Sequence, residues 1–129
     1  MCIFCKIINK EIPAYILYED DDFIVILDIM QTTKGHTLVI PKRHSENIFE
    51  LDQNTVSNIF PLVQKIAVRL KERLPLNGLN ILNNNGEKAG QTVMHYHIHL
   101  IPRYSNDNFV ITFNKTEQNL IELAQLLRA

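Results

Sequence analysis

Between positions 14 and 40 the chain alternates short apolar runs with compact polar turns. Ala14 to Glu19 and Phe23 to Leu27 are rich in β-branched and aromatic residues and flank the acidic turn Asp20-Asp21-Asp22, so they read as two hairpin-linked strands. Thr37 to Ile40 is a third short strand, stopped by Pro41. Ser45 offers a cap for a brief helical turn. From Asp52 to Leu74 the period changes: Val56, Ile59, Phe60, Val63, Ile66, Ala67, Leu70 and Leu74 recur at spacings of three and four, as on a helix with one buried face. Pro61 inside this run should kink the helix or mark its first turn, and Pro75 and Gly78 end it.

Leu79 to Leu82 predicts a fourth strand, and Asn83-Asn84-Asn85-Gly86 a turn or loop. Met94 to Ile101 predicts a fifth strand closed by Pro102. Phe109 to Phe113 either extends the sheet or packs elsewhere. Lys115 to Ala129 reads as a terminal helix, with Thr116 as N-cap and Leu120, Leu123, Ala124 and Leu127 on one face. Strands around one long helix, with hairpin-like links early on, give an α+β fold with a mostly antiparallel sheet. No repeat or linker divides residues 1–129, which read as one domain.

Composition narrows the functions. The 129 residues suffice for a core without staples, and a formal net charge of -1 lacks the basic field of a nucleic-acid binder. A mononucleotide stays open as a ligand, because one phosphate needs only a few local donors. Lys6 interrupts the apolar start, Met1 to Ile8, and no run approaches the ~20 apolar residues of a membrane span. The expectation is a soluble, cytoplasmic protein.

The chemistry concentrates in Met94-His95-Tyr96-His97-Ile98-His99-Leu100-Ile101. On a strand, His95, His97 and His99 share one face and Tyr96, Ile98 and Leu100 the other; on a helix His97 would point away from its two neighbours. Three imidazoles on one face suit proton transfer, nucleophilic attack or metal binding near neutral pH. One reading gives all three to a catalytic zinc. Another set of donors competes for a metal: Cys2 and Cys5 at C-x2-C spacing, and His44 after Pro41-Lys42-Arg43, which need one more donor for a closed tetrahedral site. A histidine from the end of the strand could supply it and leave two for chemistry.

Together these residues resemble the histidine triad superfamily, in the branch of small nucleoside phosphoramidate hydrolases. The triad reads His95-Tyr-His97-Ile-His99-Leu-Ile. Cys2-Ile3-Phe4-Cys5-Lys6-Ile7-Ile8 is similar to the family's opening, and Leu27-Asp28-Ile29 and Gly35-His36-Thr37-Leu38-Val39-Ile40-Pro41-Lys42 to its next blocks. Asn84 through Val93 resembles its phosphate loop.

The resemblance implies a five-stranded antiparallel sheet with one long helix and a C-terminal helix, paired into a homodimer through a continuous sheet. It implies structural zinc on Cys2, Cys5, His44 and His95, and no catalytic metal. His97 matches the nucleophile, and His99 the histidine that contacts phosphate and helps the leaving group depart. Thr92 stands where this branch usually has serine. Gln91, Asn84 and the backbone around Gly90 match phosphate-holding groups, and Asp28 the carboxylate that takes the ribose hydroxyls. Ile3, Phe4, Ile26 and Leu27 match the walls of the nucleobase pocket, and His36 a further histidine near the site. The implied activity is attack of His97 on the α-phosphorus of a purine nucleoside phosphoramidate or adenylate, through a nucleotidyl-histidine. Hydrolysis of dinucleoside polyphosphates and a non-catalytic nucleotide-binding adaptor are the alternatives.

Overall fold

The computed structural model describes residues 2–128. A short helix, α1 (Ile3–Ile8), precedes strands β1 (Ile16–Glu19), β2 (Phe23–Leu27) and β3 (Thr37–Pro41). The long helix α2 (Gln53–Arg73) follows, then β4 (Gly78–Leu82), β5 (Ile98–Arg103) and the last helix α3 (Leu120–Leu127). The strands form one five-stranded antiparallel sheet in the order β1-β2-β3-β5-β4. The expected α+β fold is therefore the observed one, with β4 on the edge.

The sheet is covered on both faces, which is why β2 and β3 are buried almost throughout. Phe23, Val25, Val39, Ile98 and Leu100 pack against Ile59, Leu62, Val63, Ile66 and Leu70 of α2. The alternate residues Ile24, Ile26, Leu38 and Ile40 pack against Phe4 and Ile7 of α1 on the other face. The C-x2-C segment is thus helical as well as a donor pair: Cys2 caps α1, accepting from the Cys5 N–H at 3.4 Å.

Several boundaries differ from the sequence reading. Asp52 caps α2 through the Thr55 N–H, nine residues before Pro61. Pro61 sits inside the helix on its exposed side, where the Ser57 carbonyl it leaves without a helical donor can turn to water. The turn after β3 is capped by Asn47 instead of Ser45 and spans Ile48–Glu50. Pro102 lies within β5, which runs on to Arg103. The β3–β5 ladder has already ended at Thr37 and Leu100, so no strand donor is lost on that side, and the Pro102 carbonyl accepts from Thr33 Oγ1 at 2.5 Å. Asn119, through its contact with the Glu122 N–H, caps α3 in place of Thr116. Phe109 to Phe113 forms no strand; Arg103 stacks on the Phe109 ring at 5.0 Å and donates to its carbonyl.

The histidine segment differs in a way that bears on function. β5 begins at Ile98, so His95 and His97 precede it. Continuing the register would set Tyr96 opposite Pro41, which has no N–H to offer; the Tyr96 N–H goes to the Ser45 carbonyl at 2.7 Å. The alternation of faces survives. Tyr96, Ile98 and Leu100 join the α2 core, while the three histidines face the α1 side.

Candidate functional site

β5 and the segment before it set the three histidines in a row, and each meets different company. His95 is fully buried, and its Nε2–H donates to the Pro41 carbonyl at 2.7 Å. That bond fixes the tautomer and leaves a lone pair on Nδ1, which faces Cys2 Sγ at 3.4 Å, Cys5 Sγ at 3.6 Å and His44 Nδ1 at 3.0 Å. His44 Nδ1 lies 3.4 Å from Cys5 Sγ. Edges of a tetrahedron built on Zn–N and Zn–S bonds would be about 3.3 Å between nitrogens and about 3.6 Å between nitrogen and sulfur. These four residues form one group of converging donors able to hold a metal ion. Two of them are thiols in a half-buried setting and the carbonyl behind His95 orients its ring, a donor set suited to zinc.

His97 is 5% exposed, and its Nδ1–H donates to the backbone carbonyl of His95 at 2.7 Å. The Nε2 lone pair is therefore the reactive end. Asn83, which the sequence reading treated only as part of a turn, donates its side-chain amide to the His97 carbonyl at 2.9 Å and so pins the same residue from the other side. Phe4 meets the rings of both His95 and His97 edge-on, at centroid distances of 5.8 and 5.0 Å.

His99 lies beside His97, with ring centroids 4.9 Å apart. A chain of hydrogen bonds assigns its protons. The Thr32 N–H donates to His36 Nδ1 at 3.3 Å, so the His36 proton is on Nε2, which donates to His99 Nδ1 at 2.9 Å. His99 then carries its proton on Nε2. Asp28 Oδ2 approaches His36 Nε2 at 3.6 Å, and its Oδ1 accepts from the Met30 N–H at 2.8 Å. Burial pushes the imidazoles of His36, His95 and His97 below their ordinary value, and pushes His99 down to about 4. The row is neutral at physiological pH.

The loop before the histidines closes around Gln91. Its Oε1 accepts from the Gly86 N–H at 2.8 Å, and its Nε2 donates to the carbonyls of Glu46 and Val93 at 2.7 and 3.0 Å. The side chain of Gln91 is thus engaged in shaping the loop. Gly90 adopts a φ of 94°, which suits glycine, and the Asn84 amide reaches its carbonyl at 3.4 Å. Thr92 is exposed and lines an open cavity with Cys2, Ile3 and His44, on the metal-donor side. Of the expected pocket walls, Phe4 and Ile26 are buried, Leu27 is half-buried beside Asp28, and Ile3 is 47% exposed.

The comparisons with known proteins agree with this geometry. The HIT domain model matches residues 9–106. "Protein hit" of Bacillus subtilis is 55% identical over 103 residues, covering 80% of this chain and 71% of that protein. A crystal structure from Streptococcus mutans is 50% identical, with a TM-score of 0.90 over 97% of this chain and 80% of that one. A zinc-bound histidine triad family protein from Mycobacterium smegmatis is 39% identical, with a TM-score of 0.80 over 98% of this chain and 90% of that one. A histidine triad nucleotide-binding protein from Candida albicans is 34% identical, with a TM-score of 0.85 over 98% of this chain and 92% of that one. Among the described residues, no helix is long and apolar enough to cross a membrane. The matched domain, the shared fold and the histidine row together show that the chain belongs to the HIT domain family.

Proposed function

We propose that this protein cleaves a purine nucleoside phosphoramidate or adenylate at the α-phosphorus through a covalent nucleotidyl-His97. The observation that carries this is the bond from His97 Nδ1–H to the His95 carbonyl, which leaves Nε2 as a buried, neutral nucleophile. Nε2 attacks the phosphorus, and the bond to the leaving amine breaks. His99, with its proton on Nε2, or the Thr92 hydroxyl delivers a proton to that amine. Water then attacks the phosphorus, releases the nucleoside monophosphate and returns His97 to its starting state.

The rest of the site supports this chemistry. Asn84 and the backbone from Gly90 to Thr92 supply N–H groups for the phosphoryl oxygens, and the Gln91 side chain keeps that loop in shape. Asp28 takes the ribose hydroxyls at the rim, where Leu27 and Ile29 offer apolar surface. Phe4, Ile26 and Ile3 wall the base. Zinc on Cys2, Cys5, His44 and His95 holds α1 against the histidine segment, and its role is structural because all four positions are filled by protein donors.

We further propose a homodimer. β4 is the edge of the sheet, and its outer side is free among the described residues. Ile81, Val56 and Phe60 beside it are exposed, which is unusual for a soluble edge unless something covers it. Free thiols at Cys2 and Cys5 fit a reducing, cytoplasmic location.

The test is to incubate the protein separately with an adenosine phosphoramidate and a dinucleoside tetraphosphate. AMP release from the first, with an adduct of one AMP on His97 that survives alkaline denaturation and is lost in acid, is the expected result. Preferential cleavage of the tetraphosphate moves the assignment to polyphosphate hydrolysis. Binding without turnover of either, by folded and zinc-loaded protein, makes it a nucleotide-binding adaptor.

A further inference from the structure

His36 is buried, and none of the steps proposed above uses it. Its backbone is tied firmly to that of Asp28. The Asp28 N–H donates to the His36 carbonyl at 3.0 Å. Gln31 Nε2 bridges the carbonyls of Asp28 and His36 at 2.5 and 2.8 Å, and Gln31 Oε1 accepts from the N–H groups of Gly35 and His36 at 2.8 and 3.2 Å. The two residues therefore sit side by side at the base of one loop, and their polar ends converge with that of His99.

The donor atoms that Asp28, His36 and His99 offer all lie within 4.8 Å of one another. His36 Nε2 is 2.9 Å from His99 Nδ1, with ring centroids 5.1 Å apart, and 3.6 Å from Asp28 Oδ2. His44 and His95, both in the first donor cluster, have nearly the same spacing, 3.0 Å between nitrogens and 4.8 Å between centroids. Two imidazoles at this distance can share a proton. Opened by a few tenths of an ångström they can instead share a metal ion, whose nitrogen ligands stand about 3.3 Å apart.

The surroundings suit an ion as well. The Met30 N–H holds Asp28 Oδ1 at 2.8 Å, which leaves Oδ2 to face the rings. The Met30 carbonyl is within hydrogen-bond reach of the His36 ring. A metal on His36 Nε2 requires the ring proton to move to Nδ1, where that carbonyl can accept it and the Thr32 N–H, at 3.3 Å, gives way. His99 needs no change, because its Nδ1 already carries the lone pair. The proton stays on the same imidazole, so no outside acid or base is consumed.

Two imidazoles and one carboxylate, with further positions open to water, are donors for first-row divalent transition ions; magnesium and calcium prefer oxygen alone. We propose that Asp28, His36 and His99 form a second metal site, for zinc-like divalent ions, that closes the nucleotide site when filled. Asp28 cannot hold an ion and the ribose hydroxyls together, so metal and nucleotide exclude one another. This exclusion rests on the function proposed above, whereas the binding of the ion does not. Without thiolates the second site is the weaker of the two, and it exchanges its ion while the first keeps zinc.

The test starts from nucleotide-free protein carrying one zinc per chain. Cobalt(II) chloride is titrated in and followed by visible absorption. One further equivalent should bind with the bands of a nitrogen–oxygen site and no sulfur-to-cobalt charge transfer, while zinc stays at one per chain. His36→Gln and Asp28→Asn should each weaken this binding about tenfold or more with unchanged circular dichroism. Asp28→Asn, at the rim, decides the matter should His36→Gln not fold. With cobalt at about ten times its dissociation constant, the apparent dissociation constant of AMP should rise about tenfold, and AMP should weaken cobalt binding in turn. No second equivalent, sulfur bands alone, or equal cobalt affinity in Asp28→Asn and parent would overturn the site. Cobalt and AMP bound together without mutual loss would overturn the exclusion. An absence of AMP binding would sink the function proposed above and the exclusion with it, and would leave the metal site to stand or fall on the cobalt titration.

Discussion

His95 faces two ways: its ring turns Nδ1 toward Cys2 Sγ at 3.4 Å, while its backbone carbonyl accepts the Nδ1–H of His97 at 2.7 Å. One residue therefore belongs to the metal-donor cluster and fixes the tautomer of the nucleophile next door. Phe4, between the two cysteines, touches both rings and reinforces the link. The variant His97→Ala should lose turnover by on the order of 10⁴-fold or more, and should form no base-stable, acid-labile nucleotidyl adduct, because no other side chain replaces its Nε2. Nucleotide affinity, measured by calorimetry, should change by less than about tenfold. Full turnover in this variant would remove His97 as the nucleophile.

The donor cluster gives a second expectation. Cys2→Ser removes a thiolate ligand while leaving a side-chain oxygen that can still cap α1, so it isolates the loss of the metal. Purified variant should carry much less than one zinc per chain, measured by elemental analysis. Its Tm should fall by on the order of 10 °C, since each kcal/mol shifts Tm by several degrees in a domain of this size. Equal zinc content in variant and parent would rule the site out.

How far these features were legible in the sequence depends on which interactions are local. The alternation of the triad survived because side-chain facing follows backbone extension even where the ladder has ended. The start of β5 was not legible, since it depends on Pro41 facing Tyr96 across a sheet whose register the sequence does not carry. α1 was hidden because six residues are too few to show a helical period, and its cap is a cysteine, outside the usual capping types. Gln91 was read as a phosphate contact; only the fold reveals that Gly86, Glu46 and Val93 occupy its amide. Asn83 could have been singled out only as one of three adjacent asparagines. The apolar stripe of α3 was legible, but that none of its residues is buried was not.

Acid should destabilise the fold through the histidine row. Burial holds His36, His97 and His99 below the unfolded value, with His99 at about 4, so the folded state favours their neutral forms. That contribution is complete above pH 6.5 and is lost as pH falls from about 6.5 toward 4, where the unfolded chain binds more protons than the folded one. Tm should drop across this window, and His99→Asn should flatten the slope. The same slope in variant and parent would show that His99 does not titrate in this way.

Asp28 sits at the rim with Oδ1 bound to the Met30 N–H and Oδ2 directed toward His36. Asp28→Asn keeps the shape and removes the charge. Affinity for a ribonucleotide should weaken roughly tenfold to a hundredfold, the worth of one or two hydrogen bonds to a charged group. Affinity for the 2′,3′-dideoxy analogue should change little. Equal losses for both ligands would assign Asp28 to the loop instead of the ribose.

Gln91 offers the sharpest separation of loop shape from direct contact. Its buried amide makes three hydrogen bonds that together tie Gly86, Glu46 and Val93. Gln91→Ala leaves one N–H and two carbonyls without that partner, a loss of about 1–3 kcal/mol where water cannot replace it. Two readouts should move together. Exchange of the Gly86 amide proton should accelerate, because its acceptor is gone, and turnover should fall because the donors from Gly90 to Thr92 are no longer preorganised. Gln91→Glu restores an acceptor for Gly86 but cannot donate to the two carbonyls when ionised, so it should protect the Gly86 amide without recovering turnover. If Gln91→Ala slows turnover while Gly86 exchange stays at the parent rate, the side chain acts on the substrate itself and not through the loop.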